Sequence, residues 1–164
     1  MSFATRADLL ARSNARRLAQ LAVPADKAMP PDNALRTAIA GGDISVYTAD
    51  ERAALALALD AIDTALADAD ELLLSHGIPA TVQTTLLARL ASTVALYYLQ
   101  GAERMTDDVS KAYEGVIDTL KSHSRGVISL IPAAPTDPVL SDDAVMLESS
   151  PRRYGGPPRF WGDW

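Results

Sequence analysis

Between Thr48 and Gly77 the apolar positions fall at Leu55, Leu59, Ile62, Leu66, Ala69 and Leu73, alternately four and three residues apart. That spacing puts them on one stripe of an α-helix about 40 Å long at ~1.5 Å rise per residue. Thr48-Ala49-Asp50-Glu51 reads as a capping box, in which Thr48 and Glu51 each satisfy a backbone donor of the other. Gly77 is free to take the left-handed conformation just past the end, and Pro79 forbids continuation. Alanine fills positions 53, 54, 56, 58, 61, 65 and 67, which favours the helix and lets neighbours approach closely. A helix this long cannot cover its own stripe, so other segments or other copies must.

The same period continues downstream. Thr81 is expected to cap a second helix with Val82, Leu86, Leu90, Val94 and Tyr97 on one stripe, ending at Gly101, while Leu87, Tyr98 and Leu99 widen its apolar surface. Thr106 is expected to cap a third, with Asp107 and Asp108 in its first turn and a stripe of Val109, Tyr113, Val116, Ile117 and Leu120. Lys121 and Arg125 complement its C-terminal dipole, and Gly126 ends it. The connections 77–80 and 101–105 are short, which makes successive helices antiparallel neighbours. Residues 50–131 are therefore expected to form a three-helix core whose stripes meet.

Upstream, Thr5 and Asp8 have N-cap chemistry, and Leu9, Leu10, Leu18 and Leu21 form an amphipathic stretch broken at Ser13-Asn14. Two short helices are expected. Arg6, Arg12, Arg16 and Arg17 make this segment basic, as a solvated face or as a contact for an acidic neighbouring subunit. Residues 23–47 read as a Pro/Gly-rich loop insertion, broken by Pro24, Pro30, Pro31 and Gly41-Gly42. Within it Asp32 is expected to cap a short helix running to Ala40. Ile44, Val46 and Tyr47 favour strand but are too few to build a sheet on. No two-residue period competes, so the fold class is all-α: a small helical bundle with a long central helix and antiparallel partners over residues 1–131.

From Pro132 to Trp164 the pattern lapses. Six of the ten prolines lie in this segment, with Gly155, Gly156 and Gly162, which predicts an extended C-terminal tail. Its end nevertheless gathers Arg152, Arg153, Tyr154, Arg159, Phe160, Trp161 and Trp164, residue types enriched at interface hot spots. The tail can fold back on its own bundle or dock on another chain, and the anchor residues favour docking.

Composition narrows the function. With a net charge of −6 the chain does not coat nucleic acid by neutralising phosphates. It lacks cysteine, which removes disulfides and thiolate metal sites. No apolar run reaches the ~18 residues that span a bilayer, and the product is expected to be soluble and made in the cytoplasm. His76 and His123 sit at helix ends without a ligand set. Asp60, Asp63, Asp68, Asp70 and Glu71 read as the polar face opposite the leucine stripe, without the E-x-x-H partner of a di-metal bundle. Serines lack a G-x-S-x-G elbow, and Gly41-Gly42 precedes Asp43 rather than a phosphate-binding lysine. No catalytic residue, cofactor or metal is expected.

The order of these motifs resembles the Mu-like phage neck protein family. Phe3, Thr5, Asp8, Leu9, Leu18 and Leu21 match its opening, and Ala58, Ile62 and Asp63 its long helix. Ile78-Pro79, Tyr97-Tyr98-Leu99, Lys111-Ala112-Tyr113-Glu114 and Gly126-Val127-Ile128-Ser129-Leu130 are similar to its later elements. The resemblance covers roughly 3–22 and 50–131. It implies a head–tail connector, or adaptor: a virion protein at the neck, forming a twelve-fold homo-oligomeric ring under the portal protein. It further implies a tail-side neck or stopper protein as partner and passing double-stranded DNA without specific binding. Alanine-rich faces would let ring copies pack closely, and acidic side chains, with Asp68, Asp70 and Glu71 first, would line the surface facing DNA. A free cytoplasmic helical binding protein or tail-assembly chaperone, holding a client with the tail, is the rival of a different class. A hydrolase on a helical scaffold would need a pocket with converging polar groups.

Overall fold

The computed structural model describes residues 2–101 and 104–132. These contain six helices and no strand: α1 (Arg6–Arg12), α2 (Ala15–Ala22), α3 (Asp32–Ile39), α4 (Ala49–Ser75), α5 (Thr85–Gln100) and α6 (Asp107–Ser124). In α4 the capping box forms as the sequence requires, with the Thr48 N–H donating to Glu51 at 2.9 Å and the Glu51 N–H to Thr48 Oγ1 at 3.3 Å. At the other end Gly77 takes φ +85°, which frees the Ile78 N–H to reach the Leu73 carbonyl at 3.3 Å. Ile78 is buried there, so the stop signal also sets an apolar plug.

The inward edge of α4 holds Leu55, Ile62, Leu66, Ala69 and Leu73, with Ala54, Ala58 and Ala65 beside them. Leu59, expected on the stripe, is only half-buried at its margin. The α5 stripe needs correction. Its cap is Thr84, not Thr81: Thr84 Oγ1 accepts from the Leu87 N–H at 3.1 Å, while Pro79–Val82 forms a turn. The later start leaves Val82 outside the helix, and the buried row runs Leu87, Leu90, Ala91, Val94 and Ala95. Leu86 therefore faces outward and is 46% exposed. In α6, Val116 and Leu120 are buried, while Val109, Tyr113 and Ile117 are half-buried. Two further caps differ from expectation. Asp32 is the first residue of α3 behind Pro31, without a side-chain cap bond, and the Thr106 side chain makes none for α6.

The three long helices do not share one seam. α5 packs against α4 along one side and against α6 along the other. α4 and α6 meet at their C-terminal ends, where Ser124 Oγ lies 3.0 Å from His76 Nδ1 and donates to the His76 carbonyl at 3.2 Å. The remaining cover for α4 comes from the N-terminal third. α1 packs on α5, α2 on α3 and α4, and Leu9, Leu18, Leu35 and Val23 enter the same core as Leu55 and Ile62. The 23–47 stretch contributes Val23, Pro30, Ala34 and Leu35 to it. Residues 133–164 lie outside the described residues.

Candidate functional site

One side of the bundle is closed by polar groups that find partners within the chain. The Thr5 N–H donates to Asp8 at 2.8 Å and the Asp8 N–H to Thr5 Oγ1 at 3.2 Å, a capping box that starts α1. Those Thr5 bonds hold the Asp8 carboxyl below the usual carboxylate range. Arg6 then reaches α4, its Nε donating to Asp63 Oδ1 at 2.6 Å and its second nitrogen to the other carboxylate oxygen. This fork lowers the Asp63 carboxyl and raises the Arg6 guanidinium. The Phe3 N–H donates to Asp70 Oδ1 at 3.0 Å while its ring is buried. Asp63, expected as part of a polar face, and Asp70, expected also among the first to face DNA, thus hold the N-terminus on α4.

The side where α2 meets the junction of α5 and α6 is different. Asn14 Oδ1 accepts from the Arg17 N–H at 2.7 Å, starting α2 and turning Arg16 and Arg17 outward beside Arg12. Arg104, just past α5, donates to the Gln20 carbonyl. Asn14, Arg16, Arg17 and Arg104 line an open groove of about 580 Å³ with Gln20, Leu21, Met29 and Gln100. It continues past Thr106 and Asp108 at the start of α6, and toward Arg89, Thr93 and Leu96 on α5. Gln100 lines the groove and the hollows adjoining it, yet is only 5% exposed. Its Oε1 is buried with no hydrogen-bond partner among the described residues. Sequence reading missed Gln100, because an unpaired amide is legible only from its surroundings.

The aromatic stripe residues meet between α5 and α6. Tyr97 and Tyr113 stack with centroids 3.9 Å apart and planes 10° from parallel, and Tyr98 lies edge-on to Tyr97 at 5.9 Å. Partial burial, then the Tyr113 hydroxyl, pushes the Tyr98 phenol up to about 12. His123, in the last turn of α6, accepts from the Leu130 N–H at 3.3 Å and so draws the segment after α6 back onto it. Among the described residues no three His, Cys, Asp or Glu side chains are grouped to hold a metal ion, and no helix is long and apolar enough to cross a membrane. The proposed anchors Arg152, Arg153, Tyr154, Arg159, Phe160, Trp161 and Trp164 lie outside the described residues.

The groove offers cations and a partly apolar floor, with one carboxylate and no histidine among its described lining residues. That set suits recognition of an acidic surface. No curated protein matches the chain. The family model described as bacteriophage Mu, Gp36 matches residues 3–149, a span that takes in all six helices. The chain belongs to the bacteriophage Mu Gp36 family and is a phage structural or morphogenesis protein.

Proposed function

We propose that this protein is a head–tail connector, an adaptor whose copies form a ring beneath the portal and join the DNA-filled head to the tail. The family match along residues 3–149 carries the reading. The groove supports it, because its residues suit holding a protein surface. In this role the protein is structural and not an enzyme, and its partners are the portal, neighbouring copies in a twelve-fold ring, and a stopper on the tail side. A net charge of −6 keeps double-stranded DNA from sticking as it passes.

Purified particles test this directly. Quantitative mass spectrometry should find the protein at a fixed stoichiometry, and cryo-electron microscopy should place its ring at the neck. A phage lacking it should accumulate DNA-filled heads beside unattached tails. Absence from purified particles would overturn the reading in favour of a free binding protein or assembly chaperone.

A further inference from the structure

Two faces of this chain carry opposite charge and share no residue. The first is the groove around Gln100, lined by Arg12, Arg16, Arg17 and Arg104 and continued along α5 to Arg89, with Asp108 as the one carboxylate among its described lining residues. Five arginines on one face of a chain with net charge −6 do not follow from composition. The buried amide of Gln100, unpartnered at Oε1 among the described residues, adds an independent mark. An unsatisfied buried acceptor is costly; it marks this face without itself selecting an acidic partner, since carboxylates bring no donor.

The second face is the outer edge of α4. Leu57, Asp60, Thr64, Ala67, Glu71 and Leu74 recur every three or four residues and are all exposed, so they form one solvent-facing row. Neither Asp60 nor Glu71 makes an ion pair among the described residues. Leu57 and Leu74, 42% and 45% exposed, stand at the two ends of the row, about 25 Å apart at ~1.5 Å per residue.

We propose that the outer edge of α4 in one copy docks in the arginine-lined groove of the next. This rests on the connector reading, which requires neighbouring copies, and names the surfaces through which they meet. Charge complementarity selects the occupant: Asp60 and Glu71 meet the guanidinium groups, for which paired carboxylate oxygens are the matching acceptors. Ala67, between them, leaves room for long arginine side chains. Leu57 and Leu74 provide apolar ends for a groove whose floor includes Leu21, Leu96 and the half-exposed Met29. Because the two faces are different, the contact is head to tail, and such a contact closes as a ring or continues as a filament. It also assigns Asp60 and Glu71 to the contact between copies rather than to a surface facing DNA.

Sedimentation velocity of the full chain and two charge-swapped variants tests this. One carries Arg16→Glu and Arg17→Glu, the other Asp60→Lys and Glu71→Lys. The first pair sits in the opening turn of α2, where carboxylates favour the helix. Circular dichroism should show both variants as helical as the wild type. The wild type should sediment as species larger than a monomer, and each variant alone as a monomer. An equimolar mixture should regain association, as a 1:1 dimer or larger, since each pair contains one intact groove and one intact edge and its two swapped surfaces again carry opposite charge. A monomeric wild type, variants that assemble like the wild type, or a mixture that stays monomeric would overturn the proposal. If the variants assemble normally, copies meet elsewhere and the connector reading stands. If the protein is absent from particles, that reading falls whatever the swaps show.

Discussion

The N-terminal anchor and the Gln100 groove use similar side chains to opposite ends. At the anchor Arg6 is paired with Asp63, the Phe3 amide with Asp70, and Thr5 with Asp8. Around the groove Arg16 and Arg17 make no ion pair among the described residues, and Gln100 Oε1 has no partner there. Polar groups that hold this chain together are satisfied within it. The buried acceptor left without a partner, Gln100 Oε1, lies at the groove, and the contrast separates residues that serve the fold from residues available to something else.

The largest test of that contrast is Phe3→Ala. Phe3 is 3% exposed at the very start of the described chain, so its loss should cost about 3–5 kcal/mol if the anchor is an integral part of the core. Urea unfolding followed by circular dichroism reads it, and a cost below 1 kcal/mol would make the anchor a decoration. The groove should respond in the opposite direction. Gln100→Met replaces an unpaired buried amide with an apolar side chain of similar length, and should stabilise the monomer by about 1 kcal/mol or more in the same measurement. A loss would show that Gln100 serves the fold after all.

The smallest effect is Asp63→Asn. The Arg6–Asp63 pair is about half exposed, so it contributes no more than about 1 kcal/mol. Arg6 lowers the Asp63 carboxyl in the folded state, so this contribution is present above the unfolded carboxylate value near ~3.9 and fades as pH falls through the folded value. The stability difference between wild type and Asp63→Asn should therefore be greatest near neutral pH and vanish in acid. A difference that persists below both values would assign the effect to packing.

Much of the anchor side was legible, because Thr5–Asp8 and Thr48–Glu51 are local signals three residues apart and the α4 stripe is long. Tertiary pairings were not. Nothing in the sequence links Arg6 to Asp63 across 57 positions, and hydropathy does not tell the buried Ala91 and Ala95 from the exposed Ala53 and Ala56. That blindness also shifted α5. With Thr81, Thr84 and Thr85 all competent caps, the row through Val82 and Leu86 looked as good as the alanine-containing row that is buried. The short connections did give α4–α5 and α5–α6 as neighbours, but they leave open whether the first and third helices share a seam, and that was hidden.

The tyrosine stack between α5 and α6 has a consequence for how the molecule can be watched. Tyr97, Tyr98 and Tyr113 are clustered in the helical unit, whereas both tryptophans, Trp161 and Trp164, lie in the last four residues of the chain. Three of the five tyrosines are thus gathered in the bundle, while Tyr154 shares the C-terminal end with both tryptophans and tryptophan occurs nowhere else. Tyrosine bands in near-ultraviolet circular dichroism report chiefly on the α5–α6 contact, while emission excited at the red edge, where tyrosine does not absorb, comes only from the C-terminal end. Melting of the bundle and any event at the chain's end can be followed as two separate colours in one unlabelled sample.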